Sequence, residues 1–313
     1  MESLSGKIVD YEDYDYREFW SGEKRSYEHL SEIFALKKLI SKKGKRFIDI
    51  GGGYGRLSST YINLFPQIVL LDYSLKNLSL AKKELYKKSK SKIYFVASDA
   101  YNMPFKNSTF DFVISIRVMH HLTKPQNFLN EISRILSPEG FFILEYANKR
   151  NLKKILRFLF KTRSENPFSY KPSMIGRNIF NFHPIFIKDK LEYTGFKILK
   201  ILSVSNFRLN IFKKLISPEI LSKIDDLVQF PLGFIKTGPS IFVLSQKKDK
   251  KVSYDNKDLI EKSKELSNDL EKTLWECVHC KSDNINEKED MLICNKCGVK
   301  FAIRNGIYDF RKI

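Results

Sequence analysis

Short apolar runs that end in an acid alternate with longer amphipathic stretches through the middle of this chain. Residues 46–50 read as a strand closing on Asp49, 67–72 as a buried strand ending at Asp72, and 92–100 as a third ending near Asp99. Residues 110–117 and 141–146 give two more strands. Continuous apolar runs of this length suit parallel strands buried on both faces. Helical periodicity lies between them, at 75–89 behind Ser74 as N-cap and at 126–136 behind Pro125. Strand–helix alternation with short loops predicts an α/β fold with a doubly wound, mostly parallel sheet. Further along, 185–193 reads as a helix, 197–204 as a sixth strand and 239–245 as a seventh, with a turn expected at 137–140.

The first strand runs into Asp49-Ile50-Gly51-Gly52-Gly53-Tyr54-Gly55-Arg56, which reads as a tight turn leading into a helix. Glycines let such a turn bring bare backbone up to a ligand. The dinucleotide fingerprint needs a glycine where Arg56 stands. A pyrophosphate would also meet a like charge at Asp49, whereas a ligand with an ammonium group suits it. Ligands of such sheets sit beyond the carboxyl ends of the strands. Asp72 is placed there to accept ribose hydroxyls and Asp99 to accept an adenine amino group.

The order Asp49-x-Gly51-x-Gly53-x-Gly55 resembles motif I of the class I S-adenosylmethionine (SAM) methyltransferases. The likeness extends over about 45–146. Residues 99–105 are similar to the family's D-A-x-x-L-P-F segment and 110–113 to its F-D-x-V element, while 136–140 match L-x-P-G-G with Glu139 replacing a glycine. The cofactor-contacting set this implies is Asp49, Gly51, Gly53, Gly55, Asp72, Tyr73, Ser98, Asp99, Ala100 and Ser115. Val118-Met119-His120-His121-Leu122 resembles the H-H-x segment of the small-molecule branch, which includes the ubiquinone and menaquinone methyltransferases. His120 and His121 are the catalytic candidates, as general base for a hydroxyl or as packing and loop contacts. The resemblance implies a seven-stranded sheet with an N-terminal helical lid over 1–45, for which Tyr16, Trp20 and Arg25 are candidate contacts.

Four cysteines, all between 277 and 297, change the picture at the C-terminus. Cys277-x-x-Cys280 and Cys294-x-x-Cys297 have the knuckle spacing of a closed, four-thiolate Zn²⁺ site. Residues 300–310 are similar to the C-terminal pattern of zinc-ribbon proteins that partner methyltransferases, with Phe301-Ala302 in place of Tyr-Pro. The expected organisation is a lid at 1–45, a methyltransferase domain at 46–246 with insertions at 147–185 and 205–238, a charged linker at 247–273, and a zinc ribbon at 274–313.

The formal net charge is +19, spread along the chain, so compositional bias competes with attraction to nucleic acid or anionic lipid. Residues 149–161 form a basic amphipathic helix suited to capping the pocket, to RNA phosphates or to a membrane surface. His183 is a second candidate for substrate contact. No apolar run is long enough for a transmembrane helix, and the polar start is not a signal peptide, so a cytoplasmic location is expected. These features together predict methyl transfer from SAM to the oxygen or carbon of a small molecule or cofactor precursor. The alternatives are an RNA or protein methyltransferase docking through the basic helix and ribbon, and a non-catalytic SAM-binding interaction protein.

Overall fold

A computed structural model describes residues 16–20, 23–40, 44–162, 165–176, 179–248 and 274–311. The expected tyrosine cluster before residue 16, the lysines at 42 and 43 and nearly all of the charged linker lie outside the described residues, as does the side chain of Tyr16.

The central sheet carries the parallel strands β1 (Arg46–Ile50), β2 (Gln67–Asp72), β3 (Lys92–Ala97), β4 (Phe110–Ser115) and β5 (Leu136–Ala147). Two antiparallel strands, β8 (Phe196–Val204) and β9 (Ser240–Lys247), complete it in the order β3-β2-β1-β4-β5-β9-β8. The switch point falls between β1 and β4, where the chain reverses direction across the sheet. Helices α1 (Tyr16–Trp20) and α2 (Glu23–Leu39) precede the sheet, and α3 (Leu75–Leu85), α4 (Pro125–Ile135) and α6 (Pro184–Tyr193) lie between its strands. Ser74 caps α3 by accepting from Asn77 N–H, and Pro125 starts α4, where its missing N–H costs nothing.

Two local expectations need correcting. The segment after the glycine turn forms only a three-residue 3₁₀ turn, Ser58–Thr60, rather than a regular helix. The expected turn at 137–140 is a bulge within β5, where the pairing jumps from Phe110↔Leu136 to Phe112↔Phe141.

The first insertion builds α5 (Leu152–Leu159) and the hairpin β6 (Ser173–Ile175) with β7 (Ile179–Asn181). The second builds α7 (Asn210–Leu215) and α8 (Pro218–Ile235), and α8 packs on α2 and β8.

The cysteine module forms β10 (Ile285–Lys288), β11 (Met291–Cys294), β12 (Lys300–Arg304) and β13 (Ile307–Asp309). It does not stand apart. Strand β13 pairs in parallel with β3, Tyr308 opposite Val96, so one eleven-stranded sheet runs through both parts. Trp275 packs against Phe105, Tyr94, Tyr308 and Phe310. Roughly forty residues bury little apolar surface by themselves, and here the core of the module is continuous with that of the large sheet.

Candidate active site

A cavity open to solvent, with about 1240 Å³ of empty space when its mouth is included, lies at the carboxyl ends of β1, β2, β3 and β4. The strand-end acids and the glycine turn converge on it. Gly51 and Gly53 adopt φ +74° and +55°, in the left-handed region that favours glycine. A Cβ on Gly51 would also meet Val118 Cγ2 at 2.1 Å, so the turn and the segment after β4 touch at bare backbone.

Three carboxyls sit in three different settings. Asp49 is buried and accepts a hydrogen bond from the Tyr61 hydroxyl at 2.7 Å. Burial pushes its pKa up to about 7, with the Tyr61 hydrogen bond opposing and the charge of Asp72 adding. Asp72 is fixed by backbone: Gly53 N–H donates to Oδ2 and Ser74 N–H to Oδ1, both at 2.9 Å. Asp99 accepts from Tyr101 N–H at 2.8 Å, which turns its loop toward the cavity wall.

Gly51, Gly53, Asp49, Asp72, Tyr73, Ser98, Asp99, Ala100 and His121 all line the cavity. Gly55 and Ser115 do not. Gly55 takes φ +79° and packs toward Leu85, which makes it a turn residue. Ser115 is wholly buried inside β4, paired between Ile50 and Leu144. His120 lies beside the cavity with its ring 4.1 Å from that of His121. Burial, His121 and Arg117 hold His120 well below the ordinary histidine range, and burial lowers His121. His183 is not among the residues lining the cavity; its Nδ1 accepts from Ile185 N–H and caps the start of α6, and the residue is buried.

An ionic bridge at the cavity wall is not legible in the sequence. Glu32 of α2 is fully buried and pairs with Arg56 at 2.5 Å and with Arg117. Burial alone would raise its pKa, but the guanidinium groups of Arg117 and Arg56 outweigh it and hold it down to about 2. The Trp20 ring lies 3.6 Å from the Arg56 guanidinium and 5.1 Å from that of Arg117, in cation–π geometry. Both arginines line the cavity, so the N-terminal helices are tied to its wall. The sequence carries no signal that singles out Glu32, since Glu28 of the same helix is buried as well and burial is decided by packing.

The cysteine module reaches the same region from the other side. Arg311 Nη1 donates to the Tyr73 carbonyl at 3.3 Å, and Asn102 Nδ2 donates to the Val278 carbonyl at 3.1 Å. Both contacted loops line the cavity. The four cysteine sulfurs lie within 4.8 Å of one another. Sγ separations of 3.7 Å for Cys277–Cys297 and 3.5 Å for Cys280–Cys294 are far longer than a disulfide. They match the edge of about 3.8 Å that four Zn–S bonds of about 2.3 Å would give a tetrahedron.

A family profile described as a methyltransferase domain matches residues 48–144. An uncharacterized protein of Methanocaldococcus jannaschii is 35% identical over 205 residues, 63% of this chain and 73% of that protein. The demethylmenaquinone methyltransferase of Chlamydia pneumoniae is 28% identical over 176 residues, 51% of this chain and 74% of the relative. Among solved structures, a chain from the complex between the Haloferax volcanii Trm112 methyltransferase activator and a methyltransferase gives a TM-score of 0.53. It is 15% identical and the match covers 77% of this chain and 97% of that one. Magnesium protoporphyrin IX methyltransferase of Synechocystis with bound SAH gives 0.52 at 14% identity, over 74% of this chain and 93% of the other. At these identities the structural likenesses establish the shared fold.

Proposed function

The chain belongs to the class I SAM-dependent methyltransferases, and on that premise we propose that it methylates the oxygen or carbon of a small molecule or cofactor precursor. The observation that carries this reading is the convergence of Asp49, Asp72 and Asp99 on one cavity that His121 also lines. SAM supplies an electrophilic methyl group on a sulfonium, and transfer depends chiefly on in-line positioning.

The donor set fits that cofactor. Asp49 is a buried carboxyl whose hydrogen-bond partner among the described residues is the neutral Tyr61 hydroxyl, so an ammonium group would complete it. Asp72 is oriented by backbone donors on both oxygens, and a carboxylate held this way at a strand end is the acceptor that ribose hydroxyls call for. The loop of Ser98, Asp99 and Ala100 is assigned to the adenine, with Tyr73 alongside. Gly51 and Gly53 leave room for the amino-acid end.

On the acceptor side, burial keeps His121, which lines the cavity, neutral at pH 7 and so able to accept a proton from a hydroxyl, with the His120 ring packed against it. Strand β7 of the first insertion packs on the turn that carries them, which supports an enclosed, small acceptor. The named function of the Chlamydia pneumoniae relative supports the same class.

We further assign Zn²⁺ to Cys277, Cys280, Cys294 and Cys297 as a structural ion, on the strength of the sulfur geometry. The boundaries expected from sequence, 46–246 for the catalytic domain and 274–313 for the ribbon, are kept as working units. The RNA or protein alternative rests on the basic helix at 149–161 and on the ribbon. However, Trp275 and Phe310 spend its apolar face on the sheet edge beside β3, within the same chain.

The test is transfer from radiolabelled SAM into a fractionated extract, with calorimetry on SAH alongside. Label in a low-molecular-weight product supports the reading, and label in RNA or protein overturns it. Asp72→Ala should weaken SAH binding about 10- to 100-fold, the loss expected for hydrogen bonds to a charged group.

A further inference from the structure

The two insertions hold nineteen of the 23 large apolar side chains left exposed among the described residues. They make up under a quarter of the chain, so this surface is concentrated rather than scattered.

Its construction is unusual. Helix α8 is turned inside out. Its buried face carries Ser222, Asp225, Gln229 and Gly233 with Leu221. Asp225 accepts from the Tyr27 hydroxyl and from the N–H groups of Ser205 and Asn206, and Gln229 donates to the Ser31 carbonyl. The outward face carries Ile220, Ile224, Leu227, Phe234 and Ile235, a stripe at helical spacing. Helix α5 has no buried residue, although Leu152, Leu156 and Leu159 line one side of it. Helix α7 likewise has none, and it exposes Ile211 and Leu215. These pieces adjoin: Leu152 N–H donates to the Thr237 carbonyl and Arg150 Nη2 to the Ile235 carbonyl, so the start of α5 abuts the end of α8. Helix α7 packs on α8.

Cations rim the apolar stripe. Lys153, Arg157, Lys161, Lys214 and Lys223 are exposed, and Glu219 is an exposed acid among them. Residues 149–161 contain no acid at all. We propose that α5, α7 and the outer side of α8 form a docking face for an anionic bilayer, lying in the headgroup region without crossing it. A helix with an apolar stripe and a cationic margin gains from both parts of such an interface. Polyanionic RNA would engage the lysines but gain nothing from Leu156, Leu159, Leu227 or Ile224. Among the described residues, no helix is long and apolar enough to cross a membrane.

The experiment is co-sedimentation of the full chain with vesicles. One set is phosphatidylcholine alone, and the other is equal parts phosphatidylcholine and phosphatidylglycerol. Binding should favour the anionic vesicles by about fivefold for each cation engaged. The double variant Leu159→Glu with Phe234→Glu should lower binding at least about tenfold, while circular dichroism and SAH affinity stay unchanged. Lys153→Glu with Arg157→Glu should remove the preference for anionic lipid. The proposal is overturned if the protein stays in the supernatant with both vesicle types, or if the Leu159/Phe234 variant binds as well as the parent. It is equally overturned if light scattering shows a dimer that this variant dissolves without any vesicle binding, or if only RNA is retained.

Discussion

The ribbon and the insertion face are both additions to the same sheet, yet they treat apolar surface in opposite ways. The ribbon buries what it has. Trp275 is 8% exposed and Phe310 3%, and both pack on the large sheet's core. The insertions display theirs, with Leu159 at 62% and Leu227 at 78%. Burial of that kind joins a small module to a large one, because each apolar side chain removed from water contributes about 1.5–3 kcal/mol. Exposure of that kind adds no burial among the described residues. The difference separates surface that holds the fold together from surface kept for contact with something else.

Removing the Zn²⁺ proposed for the four cysteines should break the comparison hardest. Chelation, or Cys294→Ser, should forfeit about 10–16 kcal/mol of metal-linked folding energy. Hydrogen exchange would then show β10–β13 unprotected while β1, β4 and β5 stay protected. The outer pairing of β3 should open with them, because β13 supplies it. If β3 and the Tyr73 loop remain as protected as before, the ribbon is an appendage rather than part of the sheet.

Glu32→Gln comes next. It would strand two guanidinium groups in a buried site, and denaturant unfolding should show a loss of about 3–5 kcal/mol. The pH dependence has a defined sign. Its folded pKa is depressed, so the stabilisation is present above its ordinary value of 4.5 and is lost as pH falls toward about 2.

Asp49 should behave in the opposite sense. Its folded pKa is raised from 3.8 to about 7, so the fold favours the protonated acid, and its stabilising share fades as pH rises across that window. An ammonium ligand needs the ionised acid. SAH affinity should therefore fall about tenfold per pH unit below about 7, and calorimetry of Asp49→Asn should show a weak, flat profile.

The smallest effect sharpens the contrast. Leu227→Glu lies on the outer face of α8 and should alter unfolding stability by no more than about 0.5 kcal/mol. A similar change at Trp275 should cost several times more, since it would place a charge in the shared core.

The α/β architecture was legible in the sequence because its signals are local. Each apolar run, each closing acid and each cap is decided within a few residues. The same holds for Asp49, Asp72 and Asp99, whose place at strand ends follows from where the runs stop, and for the cysteine knuckles. Other features were hidden because they depend on which distant surface a segment meets. Glu32 gains its role only when α2 lies across Arg56 and Arg117. His183 turned out to be a cap, since the proline after it begins a helix. Ser115 faces inward because β4 is covered on both sides. The sequence marks 205–238 as an insertion but does not say which face of α8 points inward. The polar side turned in because Tyr27, Ser31 and the 205–206 backbone offered partners there. The chain's own pattern determined the strands, the acids and the thiolates. Tertiary packing decided how the ribbon joins the sheet and which apolar stripe stays in water, because those outcomes depend on hydrogen-bond and packing partners far away in sequence.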